Sequence, residues 1–551
     1  MRIKTLGMLI AKAHAIGFGK AGGRVMLTAF VLFSAFNFGE RSWNTFDPFV
    51  ANDVLTPVYA QYARNLVRYP LSETRGLMVD LVGAPPQGLT LGEPRTFYSD
   101  HPSGTVWLIA VINRFLVDDP MVAARVTNII AAISATVAML AFVYRCTSLW
   151  PALGTTAVLL TLPLFWEHSI VANFEPATLF FMVAAAISFV GYLDRPGYGR
   201  LAAAALLWIG GMLCDWPAYF LGGPIAAALV YRRQWGLLVL FMALGFGTMA
   251  AVFGHLMMGP GGFSPLRFIY GTHAALLTEP FGLSESRTFA NVVRGFALWR
   301  WWLLLPFVPI VWRGKASAPR KELEFLFLSF LFVGVTNDLL FYSWAGEHSF
   351  WSYYLIPAVG FGAALTLQWL SERTFESPRV DLAFRAAILA LFAVFAVSNA
   401  AATRGLIGPH FARPPSVAEM LAERHLAGLL APDSVILIGP PYCRRARSAA
   451  EGAVRWPDDM PQCDVFKGQA WKAVYWLDKP AVAASDFDPA KMSCETSYIV
   501  LKGPDSPALL ARLSLTATVV PWFEWFVLRV SDLPSAYCDR PSRLFEELSR
   551  R

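Results

Sequence analysis

The sequence predicts a polytopic α-helical membrane protein that ends in a small α/β domain. Three observations carry this. First, 56% of the 551 residues are hydrophobic and only 15% are charged, with a mean hydropathy of +0.46; a water-soluble chain of this size has no need of so much apolar surface. Second, apolar stretches long enough to cross a hydrocarbon core recur from Val25 to Ala402, and the short loops between them carry the charges. Third, the pattern changes after Thr403 to short strand-like runs and turn residues. The domains are accordingly 1–402, with a long first loop at 41–102, and 403–551.

The first apolar run, 25–40, follows Arg2, Lys4, Lys12, Lys20 and Arg24 and lacks a small-residue cleavage site, so it reads as an anchored helix. Further spans are expected at 122–144, 151–167, 176–193, 201–214, 218–231, 235–257, 295–312, 323–341, 353–370 and 384–402. Segment 103–117 is apolar but short, and is read as a short or re-entrant helix. The stretch 201–231 is read as two short helices meeting at Asp215-Trp216-Pro217. Lys and Arg gather near the N-terminus, at Arg195 and Arg200, at Arg232 and Arg233, and at 313–321 and 373–385, which assigns those segments to the cytoplasm. The remaining loops and the C-terminal domain then face outward. The net charge of +7 is scattered over helix ends and forms no stripe, which argues against nucleic acid as a partner.

Within 403–551 the pattern predicts a helix at 416–430, strands at 435–439, 473–478 and 497–502, and a hairpin at 515–531. Cys443, Cys463, Cys494 and Cys538 lie here; their spacing fits no zinc template, and an even number facing outward permits disulfides or free thiols.

The polar residues of the outward segments are the candidates for chemistry. Asp53 stands just before an amphipathic piece, Pro57 to Val67, that contains Arg64. A carboxylate there can act as general base on an acceptor hydroxyl or amine, with Asp47 as its competitor and a helix cap as the plainer reading. The loop closes on Phe97-Tyr98-Ser99-Asp100-His101-Pro102, where His101 at a helix mouth suits a phosphate. Glu175, in Asn173-Phe174-Glu175-Pro176, and Asp215 interrupt apolar sequence, where ionisable groups face a cavity or water more often than lipid. Arg294 and the cluster Glu347-His348-Ser349-Phe350-Trp351-Ser352-Tyr353-Tyr354 complete the set, the aromatics there also fitting an interfacial belt.

Four segments resemble the bacterial GT-C membrane glycosyltransferases that include aminoarabinose transferases and protein O-mannosyltransferase-like proteins. They are Asp53 with Ala63-Arg64-Asn65-Leu66 and Arg68-Tyr69; Tyr98 to Pro102, similar to a His-Pro-Pro element; Asn173 to Pro176; and His348 through Pro357. Many relatives carry an Asp-Glu pair where this chain has Leu55-Thr56, and Pro-Pro is here Pro102-Ser103. The resemblance covers about residues 25–400. It implies transfer of a sugar from a polyprenyl-phosphate carrier, with inversion, to an envelope acceptor that is a lipid, glycan or protein, at the outer face of a bacterial inner membrane. Asp53 would be the base. Arg64, His101 and Arg294 would stabilise the departing phosphate; Glu175, Asp215, His348 and Tyr353 are the further candidates for the donor site. His101, Asp100, His348 and Glu347 lack a compact ligand spacing, so no metal or other cofactor is assigned. The rival class is a transporter or flippase of lipid-linked sugars, which would also show many helices and intramembrane acids; no inverted repeat is evident.

Overall fold

The computed structural model describes residues 55–79, 97–98, 101–258, 303–311, 318–340 and 349–372, five strands between 436 and 529, and isolated helical positions between 380 and 397. The first apolar run, most of 295–312 and of 384–402, the helix expected at 416–430, the strand expected at 473–478 and the four C-terminal cysteines lie outside the described residues.

The amphipathic piece forms α1 (Leu55–Arg68), followed by the single turn α2 (Leu71–Thr74). Two short strands, β1 (Met78–Val79) and β2 (Phe97–Tyr98), pair antiparallel and return the loop to the helical body. There α3 (Gly104–Phe115) has twelve residues, about 18 Å of rise, too short to cross a membrane; it is the short helix expected. The long α4 (Pro120–Cys146) begins at a good cap, the Asp119 carboxylate accepting from the amides of Met121 and Val122, with Pro120 in the first turn.

Expected spans 218–231 and 353–370 begin on 3-10 turns, and a third is broken in its middle. The stretch 151–167 divides into α5 (Leu149–Thr161) and α6 (Pro163–Ile170). Pro163 brings no amide hydrogen and drives the residue before it out of the helical region, and Leu162 is extended at φ −70° and ψ 120°. Then come α7 (Glu175–Asp194), α8 (Tyr198–Cys214), a 3-10 segment Trp216–Leu221, α9 (Gly222–Tyr231) and α10 (Trp235–Leu256). The helices on either side of Asp215 are thus separate, as the basic residues at both ends of 201–231 suggest. After α11 (Phe307–Val311) and α12 (Ala318–Leu340), a 3-10 segment Ser349–Leu355 leads into α13 (Ile356–Glu372).

Five of these helices are long and apolar enough to cross a membrane: Pro120–Cys146, Glu175–Asp194, Trp235–Leu256, Lys321–Leu340 and Trp351–Glu372, the last counted with its 3-10 entry. They differ in what they face. In the 18-residue apolar stretch of Trp351–Glu372 83% of the residues are buried, and in that of Trp235–Leu256 only 11%, so the first is the centre of the bundle, while the second offers Val239, Leu240, Met242 and Phe246 to lipid. Small residues allow the central helix to be surrounded closely: Gly360 lies against Leu159 and the tip of Met139, and Gly362 against Phe327 and Pro306.

A second sheet has the order β4-β3-β5-β7-β6, from Ala481–Ala483, Ile436–Ile438, Tyr498–Lys502, Trp525–Arg529 and Thr518–Val520. The pairs of β3 are parallel and the β5-β7 and β7-β6 pairs antiparallel, with the hairpin inside the stretch 515–531. The strand Ala481–Ala483 had too little apolar bulk to announce itself.

The first loop is held at its turn. Arg75 and Gly76 are left-handed, φ 52° and 72°. His255 Nε2 donates to the Arg75 carbonyl at 2.8 Å, Trp107 Nε1 donates to the Gly76 carbonyl at 2.7 Å, and the Arg75 guanidinium reaches the Met258 carbonyl. This turn therefore fastens the loop to α3 and to the end of α10.

The entry of α3 is set by a different close approach. A Cβ on Gly104 would strike the backbone carbonyl of Leu213 in α8, whereas one on Gly360 would meet chiefly the movable Met139 methyl. Gly104→Ala is expected to cost about 1–3 kcal/mol, read as a lowered thermal midpoint in detergent, and Gly360→Ala less than half as much. Equal losses would mean that α3 is free to back away.

Candidate functional site

Four helix ends meet around Asp215. The chain leaves α8 there with extended backbone, φ −164° and ψ 161°, as suits the cap of the 3-10 segment that starts afresh at Trp216 with Pro217 in its first turn. The Asp215 side chain is 4% exposed. Its Oδ1 accepts from the Trp216 amide at 2.8 Å and from His101 Nδ1 at 2.8 Å, and its Oδ2 accepts from the Tyr354 hydroxyl at 2.7 Å. The three donors come from the 3-10 segment, from the end of the first loop, and from the entry to α13.

His101 is fixed on its face as well as its edge. Its ring stacks on Phe174 at 4.6 Å and 17°, and the Phe174 ring meets Tyr59 of α1 edge-on at 4.7 Å. The segment before α7 is sewn to α1: Tyr59 donates to Asn173 Oδ1 at 3.1 Å, and the Ala172 amide donates to Thr56 Oγ1 at 2.9 Å. From α4, Asn128 Nδ2 donates to the Val171 carbonyl at 2.8 Å. The amphipathic helix is anchored at its far side by Asn65, whose Nδ2 donates to the Val79 carbonyl at 3.1 Å. The faces of α1 that look polar in sequence, Thr56, Gln61 and Asn65, are thereby buried.

Glu175 opens α7, where the helix N-terminus favours a negative charge. It is 4% exposed, close enough to interact electrostatically with Asp215, and its Oε2 makes no hydrogen bond among the described residues. Asn173 Nδ2 is likewise buried without a partner among them. A donor and an acceptor, both left open on either side of Phe174, are suited to a polar ligand or water.

Of the residues singled out in the sequence, His101, Glu175 and Asp215 come together. Arg64 lies half-buried on α1. Tyr353 is fully buried but turns the other way, its hydroxyl paired with Ser169 at 3.1 Å and its ring edge-on to His168. Tyr354, its neighbour, makes the bond to Asp215. A tyrosine pair in the sequence does not say which ring faces the acid; consecutive residues on a 3-10 segment point about 120° apart, and only the turn phase decides. Phe174, Tyr59 and Asn173 are further members that their apolar or loop setting concealed. Asp53, Arg294 and His348 lie outside the described residues. Among the described residues no three His, Cys, Asp or Glu side chains gather to hold a metal ion.

The entry to α13 is secured from α12, where Asn337 Nδ2 donates to the Trp351 carbonyl at 2.8 Å and Ser352 Oγ donates to Asp338. These bonds set the phase that aims Tyr354 at Asp215.

The chain is similar in fold to two solved structures of ArnT from Cupriavidus metallidurans. The one bound to undecaprenyl phosphate aligns at TM-score 0.56 with 16% identity, over 92% of this chain and 98% of that one. The apo form aligns at 0.55 with 14% identity, over 94% and 99%. A looser likeness, TM-score 0.45 and 11% identity, is to the oligosaccharyltransferase AglB from Archaeoglobus fulgidus. No family model and no curated protein matches the chain.

The two tyrosines make a direct comparison. Tyr354→Phe leaves a buried carboxylate oxygen short of a donor and is expected to cost about 2–3 kcal/mol, while Tyr353→Phe removes a neutral pair with Ser169 and costs about 1 kcal/mol. Thermal unfolding in detergent measures both; equal losses would mean that the Asp215 bond contributes nothing beyond a neutral one.

Proposed function

From the GT-C fold of this integral membrane chain, we propose that the protein is an inverting glycosyltransferase that takes a sugar from a polyprenyl-phosphate carrier and gives it to an envelope acceptor at the outer face of the membrane. The observation that carries the reading is the buried polar group of His101, Asp215, Tyr354 and Glu175. Buried charge among apolar helices is costly and is kept where a polar ligand is handled. The shared fold supports the carrier class, since ArnT from Cupriavidus metallidurans binds undecaprenyl phosphate.

In this reading the acceptor is a lipid, glycan or protein hydroxyl or amine. Asp53, two residues before the start of α1, takes its proton. The acceptor atom bonds to the anomeric carbon as the carbon–oxygen bond to the phosphate breaks, and the electron pair leaves on the phosphate oxygen. Arg64, His101 and Arg294 stabilise that oxygen, as preorganised donors do for charge that develops during reaction. Glu175 and His348 line the donor site, where Tyr354 takes the place that the sequence suggested for Tyr353. The basic loops assigned to the cytoplasm support an outward-facing site in a bacterial inner membrane, and an outward position of 403–551 makes that domain an acceptor-recognition or docking module.

The test is transfer of labelled sugar from a panel of synthetic polyprenyl-phosphate donors to native extracts, in membranes carrying wild type or Asp53→Asn. Wild-type transfer that drops by about 100-fold or more in the variant is expected for loss of a general base. Transfer that persists in the variant moves the base to another residue such as Asp47; no transfer by wild type with any donor overturns the enzyme reading in favour of a transporter.

A further inference from the structure

The Asp215 carboxylate does more than end a helix. A cap at the 3-10 segment needs one oxygen and one amide, and the Trp216 amide satisfies that with Oδ1. The same oxygen also holds His101 Nδ1 at 2.8 Å, and the other oxygen is held by Tyr354 at 2.7 Å. Phe174 closes the ring face at 4.6 Å. Edge and face together leave the imidazole one orientation and one assignment of its nitrogens: Nδ1–H donates to Asp215, and whatever the ring does to a ligand it does through Nε2.

We propose that Asp215 is a positioning residue for His101, acting in series with Tyr354, and that the unit Tyr354–Asp215–His101 presents Nε2–H to the phosphate oxygen of the lipid carrier as the sugar leaves. The inference rests on the transferase reading above. When Nδ1–H is given to Asp215, a donor at Nε2 requires the imidazolium, and Asp215 supplies its counter-charge. No proton leaves His101 in the step; the electron pair of the broken bond stays on the phosphate oxygen and is met by the Nε2–H hydrogen bond. Among the described residues the ionisable groups interacting with Asp215 from the packed elements are Glu175 of α7, Tyr354 and Cys214 at the end of α8. None of these brings a second fixed positive charge.

The test is a double-mutant cycle on the full chain in membranes, with labelled polyprenyl-phosphate sugar as donor. Asp215→Asn keeps the shape but loses the charge, and is expected to lower kcat by about 10- to 100-fold with the donor KM changed less than about twofold. His101→Gln is expected to lose a similar factor, and the double variant no more than the worse single. Losses that multiply, or an Asp215→Asn enzyme with unchanged kcat, would overturn the inference. Should Asp215→Asn fail to fold, Tyr354→Phe replaces it: a kcat loss of about 3- to 10-fold that disappears in the His101→Gln background supports the unit, and the same loss in both backgrounds refutes it. Absence of transfer by wild type defeats the transferase reading and this inference together, whereas active wild type with multiplicative losses defeats this inference alone.

Discussion

An ionised carboxylate taken out of water costs several kcal/mol unless its oxygens are met by donors in good geometry. Asp215 meets that demand with three, and each arrives on a different piece of chain: the start of a 3-10 segment, the last turn of the first loop, and the entry to the central helix. Apolar helices alone slide past one another at little cost, because one leucine face resembles the next. A slip of one turn here would strand a buried charge. The register of α8, α13 and the end of the loop is therefore set at this point, and the placement of His101 follows from it.

The rest of the bundle serves the same end by different means. Around α13, glycines and alanines let neighbours approach closely, so dispersion and shape hold what the hydrophobic effect cannot hold between helices in lipid. The ionisable residues of the site lie at the start of α7 and the end of α8, while the exposed face of α10 is apolar. The protein is in this sense inverted: wet chemistry inside, oil outside.

Much of this was legible in the sequence. The long helices 120–146, 175–194 and 235–256 follow from apolar length alone, and Asp215-Trp216-Pro217 marks its own break, since proline is accommodated in the first turn of a helix and disrupts one further in. Pro163 carries the same signal inside a continuous apolar run, where apolar length masks it. The members of the site divide by kind. His101, Glu175 and Asp215 stand out because ionisable residues are conspicuous in apolar sequence. Tyr354, Phe174 and Tyr59 do not, because an aromatic residue among helices is ordinary until its hydroxyl or ring face has a partner far along the chain. The bond from Tyr354 to Asp215 spans 139 positions, and no local pattern encodes it.

The first loop is large, but its two working ends are not. Met78 and Val79 pair with Tyr98 and Phe97 in two rungs, the Arg75–Gly76 turn is clasped by α3 and α10, and His101 follows within a few residues. Two rungs thus hold residues 79 and 97 side by side as a closed neck. The entropy of closing such an insert rises only with the logarithm of its length, so residues can be gained or lost there at small cost while α1 and His101 stay where they are. Such a neck separates two evolutionary problems: length can change between its two strands, and the buried machinery around His101 inherits none of the change.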